Sequence, residues 1–215
     1  MALNQWVIGA VLAAVACILI FLYVRNDMSQ TKHDPAPRDV LQAFAKTVGG
    51  SYSYSGAGFS HSVKWAENGV PVELVRRSMV DPVTGDSSST SVICVLKAMV
   101  PLQLHVESRI AEPGTISVPL GNRAGQSITV GVADLDSGYT ARASDERRAG
   151  TILSQPKVWK ALVALNKPNV YFDISARGTE LQISYGDEGG IANIERLMNI
   201  RALFEATIAQ LLATG

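Results

Sequence analysis

The chain has 215 residues, with 19 Lys and Arg against 19 Asp and Glu, so its formal net charge is zero. That balance removes the broad basic footprint that nucleic-acid binding requires, and no nucleic-acid partner is expected. The two cysteines, Cys17 in an apolar run and Cys94 in an apolar strand pattern, lie too far apart in any sensible fold to form a bridge, which points to a reduced compartment.

Residues 6–24 (WVIGAVLAAVACILIFLYV) carry no charge and run for about 19 residues, the length one helix needs to cross a bilayer core of roughly 30 Å. The sequence therefore predicts a transmembrane anchor over residues 1–25. Trp6 and Tyr23 stand at its two ends with Arg25 behind, where aromatic rings and a basic group would sit at the membrane interface. MALNQ, before the run, offers no basic side chain, whereas Arg25, Lys32 and Arg38 follow it. Retention of basic residues on the cytoplasmic side then predicts a single-pass signal-anchor with its N-terminus out and its large domain in the cytoplasm. A cleaved signal fits less well, because the charged n-region is missing and the apolar run is too long. Gly9, Ala13 and Ala16 place small side chains on adjoining helix faces, a surface on which other membrane-protein subunits would pack closely.

Residues 26–37 are polar and contain Pro35 and Pro37, so they read as a juxtamembrane connector. The soluble domain then occupies residues 38–215, roughly 180 residues and enough for one core. Residues 38–48 set Val40, Leu41, Phe44, Ala45 and Val48 at helical spacing and stop at Gly49-Gly50. SYSYSGAGFSHS, residues 51–62, reads as a loop or an irregular strand. From Val63 the period changes to two: residues 70–80 and 90–100 read as strands of an antiparallel hairpin around a loop rich in Pro, Gly, Asp and Ser. A further strand is expected at residues 103–109, then two at residues 127–133 and 139–143 split by a turn at 134–138. Asp145 suits an N-cap. Helices over residues 146–154 and 156–166 follow, then a hairpin of 170–175 and 179–185, and a final helix over 191–213 whose apolar face carries Leu197, Phe204, Ile208 and Leu211. The whole predicts an α+β protein: one N-terminal transmembrane helix, then a soluble domain with a mainly antiparallel sheet and about four helices.

Motifs for chemistry are sparse. His33, His61 and His105 stand singly, with no C-x-x-C or H-x-x-x-H spacing, so neither metal nor cofactor is expected. Asp134-Leu135-Asp136-Ser137-Gly138 resembles the start of a calcium loop but lacks its spaced glutamate. Gly56-Ala57-Gly58 and the segment from Gly121 to Ser127 lack what phosphate binding needs, and no G-x-S-x-G elbow occurs. Cys94, flanked by Val92, Ile93, Val95 and Leu96, reads as a buried structural thiol. His105, Glu107 and Arg109 alternate onto one face of a strand, where acid, base and anion-binding groups would meet, although alternation alone sends polar residues to solvent.

One local charge signal remains. Arg147, Arg148, Lys157 and Lys160 fall in a basic stretch that would contact anionic lipid at about 1 kcal/mol per residue, or serve as an ordinary solvated helix face. These features predict a non-catalytic accessory or scaffold subunit of a membrane-associated assembly, with lipid and neighbouring subunits as partners. The alternative is a membrane-tethered ligand-binding or sensory domain.

Overall fold

Side chains that alternate between buried and exposed positions set the architecture. The structure is a computed structural model that describes residues 35–56, 60–81, 85–97, 100–110, 125–188 and 193–214. In chain order the elements are α1 (Pro35–Thr47), β1 (Ser51–Ser55), β2 (Ser60–Glu67), β3 (Val70–Asp81), β4 (Gly85–Lys97), β5 (Leu104–Ser108) and β6 (Gln126–Ile128). Then follow α2 (Ala133–Gly138), β7 (Tyr139–Ala143), α3 (Glu146–Leu153), α4 (Pro156–Leu165), β8 (Val170–Arg177), β9 (Glu180–Glu188) and α5 (Ile194–Thr214). The strands form one sheet in the order β1-β2-β3-β4-β9-β8-β5-β7-β6, and every ladder is antiparallel.

Local chemistry explains the boundaries. Asn68 and Gly69 both take positive φ, 51° and 78°, which is what a two-residue hairpin turn demands between β2 and β3. Asp145 caps α3 by accepting the Arg148 backbone N–H at 3.0 Å, and Pro156 opens α4 where no intrahelical donor is needed. The Asn193 side chain accepts the Arg196 N–H at 2.8 Å at the start of α5. Residues 51–62, read as irregular from sequence, instead supply β1 and the beginning of β2, which pair from Ser51↔Lys64 to Ser55↔Ser60. Residues 134–138 form α2 rather than a turn, because the Asp136 carboxylate accepts the Val130 and Gly131 N–H groups at 3.0 and 2.8 Å and so ties the helix to the segment before it. β6 is correspondingly shorter than the strand expected there.

The core lies on one side of the sheet. Val63, Trp65, Val72, Leu74, Val92, Cys94, Leu104, Val106, Phe172, Ile174, Ile183 and Tyr185 all point to that side and are buried. The helices close over it: Phe44 of α1 meets Trp65 edge-on at 5.4 Å between ring centroids, Phe204 of α5 meets Phe172 at 6.5 Å, and the Tyr139 hydroxyl donates to the Leu162 carbonyl of α4 at 2.6 Å. Arg201 of α5 also reaches buried Glu67 of β2 at 2.6 Å.

The membrane expectation is corrected. Among the described residues no helix is long and apolar enough to cross a membrane. α1, with 13 residues, spans only about 20 Å, and α5, with 21, carries Glu195, Arg196, Arg201 and Glu205. Residues 6–24, including Gly9, Ala13 and Ala16 and the interface residues Trp6, Tyr23 and Arg25, lie outside the described residues. A transmembrane helix at the head of the fold, a single-pass signal-anchor and a cytoplasm-facing topology are therefore not carried further. The structure supports a nine-stranded antiparallel sheet with five helices among the described residues, one more than expected because α2 is helical.

Candidate functional site: the outer sheet face

The alternation that buries one side of each strand presents the other side outward. One transverse row crosses all nine strands by direct register: Ser51, Lys64, Glu73, Ile93, Ser184, Asp173, His105, Arg142 and Ser127. Each strand residue flanking Ile93, Asp173 and His105 is buried on the helix side, so this row belongs to the opposite face. Among the described residues no helix covers it. Ile93 and Val95, on β4 in the middle of the sheet, remain 41% and 43% exposed, and Tyr171 on β8 is 36% exposed. The Tyr171 ring lies across Gly186 of β9, where an added Cβ would sit 2.1 Å from Cε1; glycine is what lets the ring lie flat on the neighbouring strand.

Charged groups on this face are grouped. Lys64 and Glu73 pair at 3.4 Å, and Glu73 also accepts the Ser62 hydroxyl at 2.9 Å. On the other side, His105 Nδ1 meets Asp173 Oδ1 at 2.5 Å, while Nε2 faces Glu107 Oε2 at 3.6 Å. The His105 side chain is 16% exposed. The short bond to Asp173 raises the His105 pKa above its ordinary value near 6.5; burial opposes this, and the charges of Asp173 and Glu107 add to the rise. A carboxylate only accepts hydrogen bonds, so Nδ1 carries the proton shared with Asp173, whereas Nε2, 3.6 Å from Glu107, has an ionic neighbour but no hydrogen-bond partner among the described residues. That arrangement holds charge and orients strands. The two carboxylates, on opposite sides of one ring, do not converge on a common point for a metal. No group of three or more His, Cys, Asp or Glu suited to a metal occurs among the described residues.

A second polar cluster sits on the helix side. Asp187, 2% exposed on β9, accepts from Arg196 at 2.8 Å (Nη2) and 2.9 Å (Nε) and from the Tyr185 hydroxyl at 3.0 Å, and Lys167 pairs with its other oxygen. Arg196 also donates to the Leu165 carbonyl at 2.9 Å. The cluster thus joins the end of α4, β9 and the first turn of α5, and its groups are consumed by one another. Burial pushes Tyr185 and Tyr139 beside it above the ordinary tyrosine range.

The residues singled out from sequence fare unevenly. His105 and Glu107 do meet, but Arg109 falls after β5 and its backbone N–H bonds to the Gly138 carbonyl instead. Asp173, 68 residues along the chain from His105, was not anticipated, nor was Asp187. Asp187 did leave a signal, since it continues the inward series Leu181, Ile183, Tyr185 and an inward carboxylate needs cationic partners. The basic residues lie on α3 and α4, with three of them engaged within the chain: Arg148 donates to the Val100 carbonyl at 3.3 Å, Lys157 pairs with Glu205 at 3.5 Å, and Lys160 lies 5.6 Å from the centre of the Trp159 ring. Arg147 is exposed. Cys94 is buried and its thiol is pushed up to about 12 by burial, which makes it inert. Comparison with protein-family models, curated proteins and solved structures returns no match for this chain.

Proposed function

We propose that the chain is a non-catalytic interaction module that docks a partner protein on the outer face of its sheet. One observation carries the reading: the described helices pack on one side of a nine-stranded sheet, and the other side exposes Ile93, Val95 and Tyr171 in its central strands. The uncharged Ser91, Ser175, Gln182 and Ser184 stand among these apolar groups, Glu73 directly opposes Ile93 and Glu107 directly opposes Tyr171 in register, and Lys64, Asp173 and His105 complete the polar border. An apolar centre inside a polar border is the usual anatomy of a protein–protein interface.

The size is adequate. Nine strands about 4.8 Å apart span roughly 38 Å, and four or five residues along each give about 15 Å. The resulting 600 Å² or so, before the longer central strands are added, approaches the ~800 Å² that a stable interface buries on each partner. Because Lys64 offsets Glu73, and His105 together with Arg142 offsets Asp173 and Glu107, the occupant that fits is a different protein with an apolar patch of low net charge.

Site-specific photo-crosslinking tests this. A benzophenone side chain introduced into the chain at Gln182 should trap one protein, whereas the same group at Ala209, on the exposed side of α5, should not. Excess unlabelled chain should compete, and Ile93→Asp chain should compete poorly. Equal trapping from both positions, competition that ignores Ile93→Asp, or trapping only of a second copy of this chain would overturn the proposal.

A further inference from the structure

The sheet has a seam. β5, β7 and β6 join the other six strands through the β5–β8 ladder, which pairs only Leu104 to Glu107 with Ile174 to Tyr171. The β4–β9 ladder, by comparison, runs from Ser89↔Glu188 to Lys97↔Glu180. His105 and Asp173, directly opposed in register, make a close ionisable contact across the seam.

We propose that His105 is a proton-operated latch on this seam, holding β5 against β8 most tightly while its ring is doubly protonated and loosening that hold on deprotonation. Four charged or titratable groups face it. Asp173 is on β8, Glu107 is on β5 itself, Arg142 of β7 is its register partner, and Tyr171 lies one outward position along β8. With the imidazolium present, the charges of Asp173, His105, Arg142 and Glu107 sum to zero. When the Nε2 proton leaves, a net negative charge remains and the Nε2 lone pair faces Glu107, while Nδ1–H still donates to Asp173; the cross-seam bond loses its charge assistance and the hold on the seam weakens.

The direction follows from linkage. Asp173 holds the folded-state pKa above the ordinary 6.5, so the latch acts in full below about 6.5 and is lost as pH rises through the folded value. The inference concerns the fold itself and does not depend on what occupies the outer face.

Amide hydrogen exchange of the full chain between about pH 5 and 8 reads the latch directly. Protection of β5 and β8 amides, taken relative to β2 and β3 amides in the same sample to remove the intrinsic pH dependence, should be lost as pH rises. In His105→Gln the ratio should stay flat. An unchanging ratio in the parent chain, or the same loss in the variant, would overturn the proposal. Imidazole nitrogen-15 shifts of the unaltered chain provide a readout that needs no variant: both His105 nitrogens should be protonated near pH 6.5, with the proton lost over the range in which protection falls. A neutral ring at that pH would equally overturn it.

Discussion

Replacing Asp187 by Asn should destabilise the fold by about 3 kcal/mol, close to the low end of the 3–5 kcal/mol expected when one member of a buried ionic network is removed. The size follows from the geometry. Asp187 is 2% exposed; its Oδ2 accepts from Arg196 Nε and the Tyr185 hydroxyl, and it forms ion pairs with Arg196 Nη2 and Lys167, so its contacts are charge-assisted or buried. Asn keeps the shape but turns an N–H₂ group toward donors and leaves Arg196 and Lys167 without their counter-charge. Those two side chains retain 18% and 28% exposure, and Arg196 keeps its bond to the Leu165 carbonyl, which is why the loss falls short of the top of the range. Against a typical domain stability of about 5–15 kcal/mol, such a loss is visible in a urea midpoint.

The double variant Asp187→Asn with Arg196→Met decides whether the loss comes from stranded charge. Removing both partners should recover part of it, giving a coupling energy of about 1–2 kcal/mol in a double-mutant cycle. A single-variant loss under about 1 kcal/mol, or strictly additive effects of the two changes, would refute the reasoning. In either case the network would be a surface-like ion pair that happens to be enclosed.

Four further outcomes are expected. The stability difference between the parent chain and His105→Gln should shrink as pH rises from about 6 to 8, because the raised folded-state pKa makes the imidazolium's contribution a low-pH one; a difference that grows with pH would reverse the assignment. Gly186→Ala should cost about 1–3 kcal/mol by driving a Cβ into the Tyr171 ring, and Tyr171→Ala should relieve most of that penalty in the double variant, as thermal unfolding can show. Thr207→Val should be neutral or stabilising by about 1 kcal/mol, since the Thr207 hydroxyl is fully buried on α5 and has no hydrogen-bond partner among the described residues; a clear loss in the denaturant midpoint would reveal a partner. In a Cys17→Ser background, Cys94 should react with a maleimide only at the rate of unfolding, because it is enclosed and its thiol is held near 12; fast labelling of the native chain would contradict its burial.

How far the fold could be read in the sequence depended on how local each signal was. The β-branched, broadly period-two pattern over residues 70–80 and 90–100 is a property of neighbours, and β3 and β4 pair from Val72↔Cys94 outward to Asp81↔Gly85. Asn68-Gly69, both at positive φ, carried an equally local turn signal between β2 and β3. Spatial order is a different matter. β5 follows β4 in the chain yet pairs with β7 and β8, and no nearby residue encodes that choice, which depends on the order in which six other strands close the sheet.

The two polar clusters divide along the same line, and the division is physical. An ionisable residue at an inward position must find partners, because burying an unpaired charge costs several kcal/mol; Asp187, after Leu181, Ile183 and Tyr185, therefore declares from sequence that cations lie near it, even though Lys167 and Arg196 cannot be named. An outward residue makes no such demand. His105 between Leu104 and Val106 is compatible with plain solvation, and Asp173 between Phe172 and Ile174 equally so. Only the register that sets them opposite each other turns two unremarkable surface positions into a 2.5 Å contact with a second carboxylate waiting at the other nitrogen. On an uncovered sheet face, then, polar alternation specifies which residues are available, and strand order specifies which of them act together.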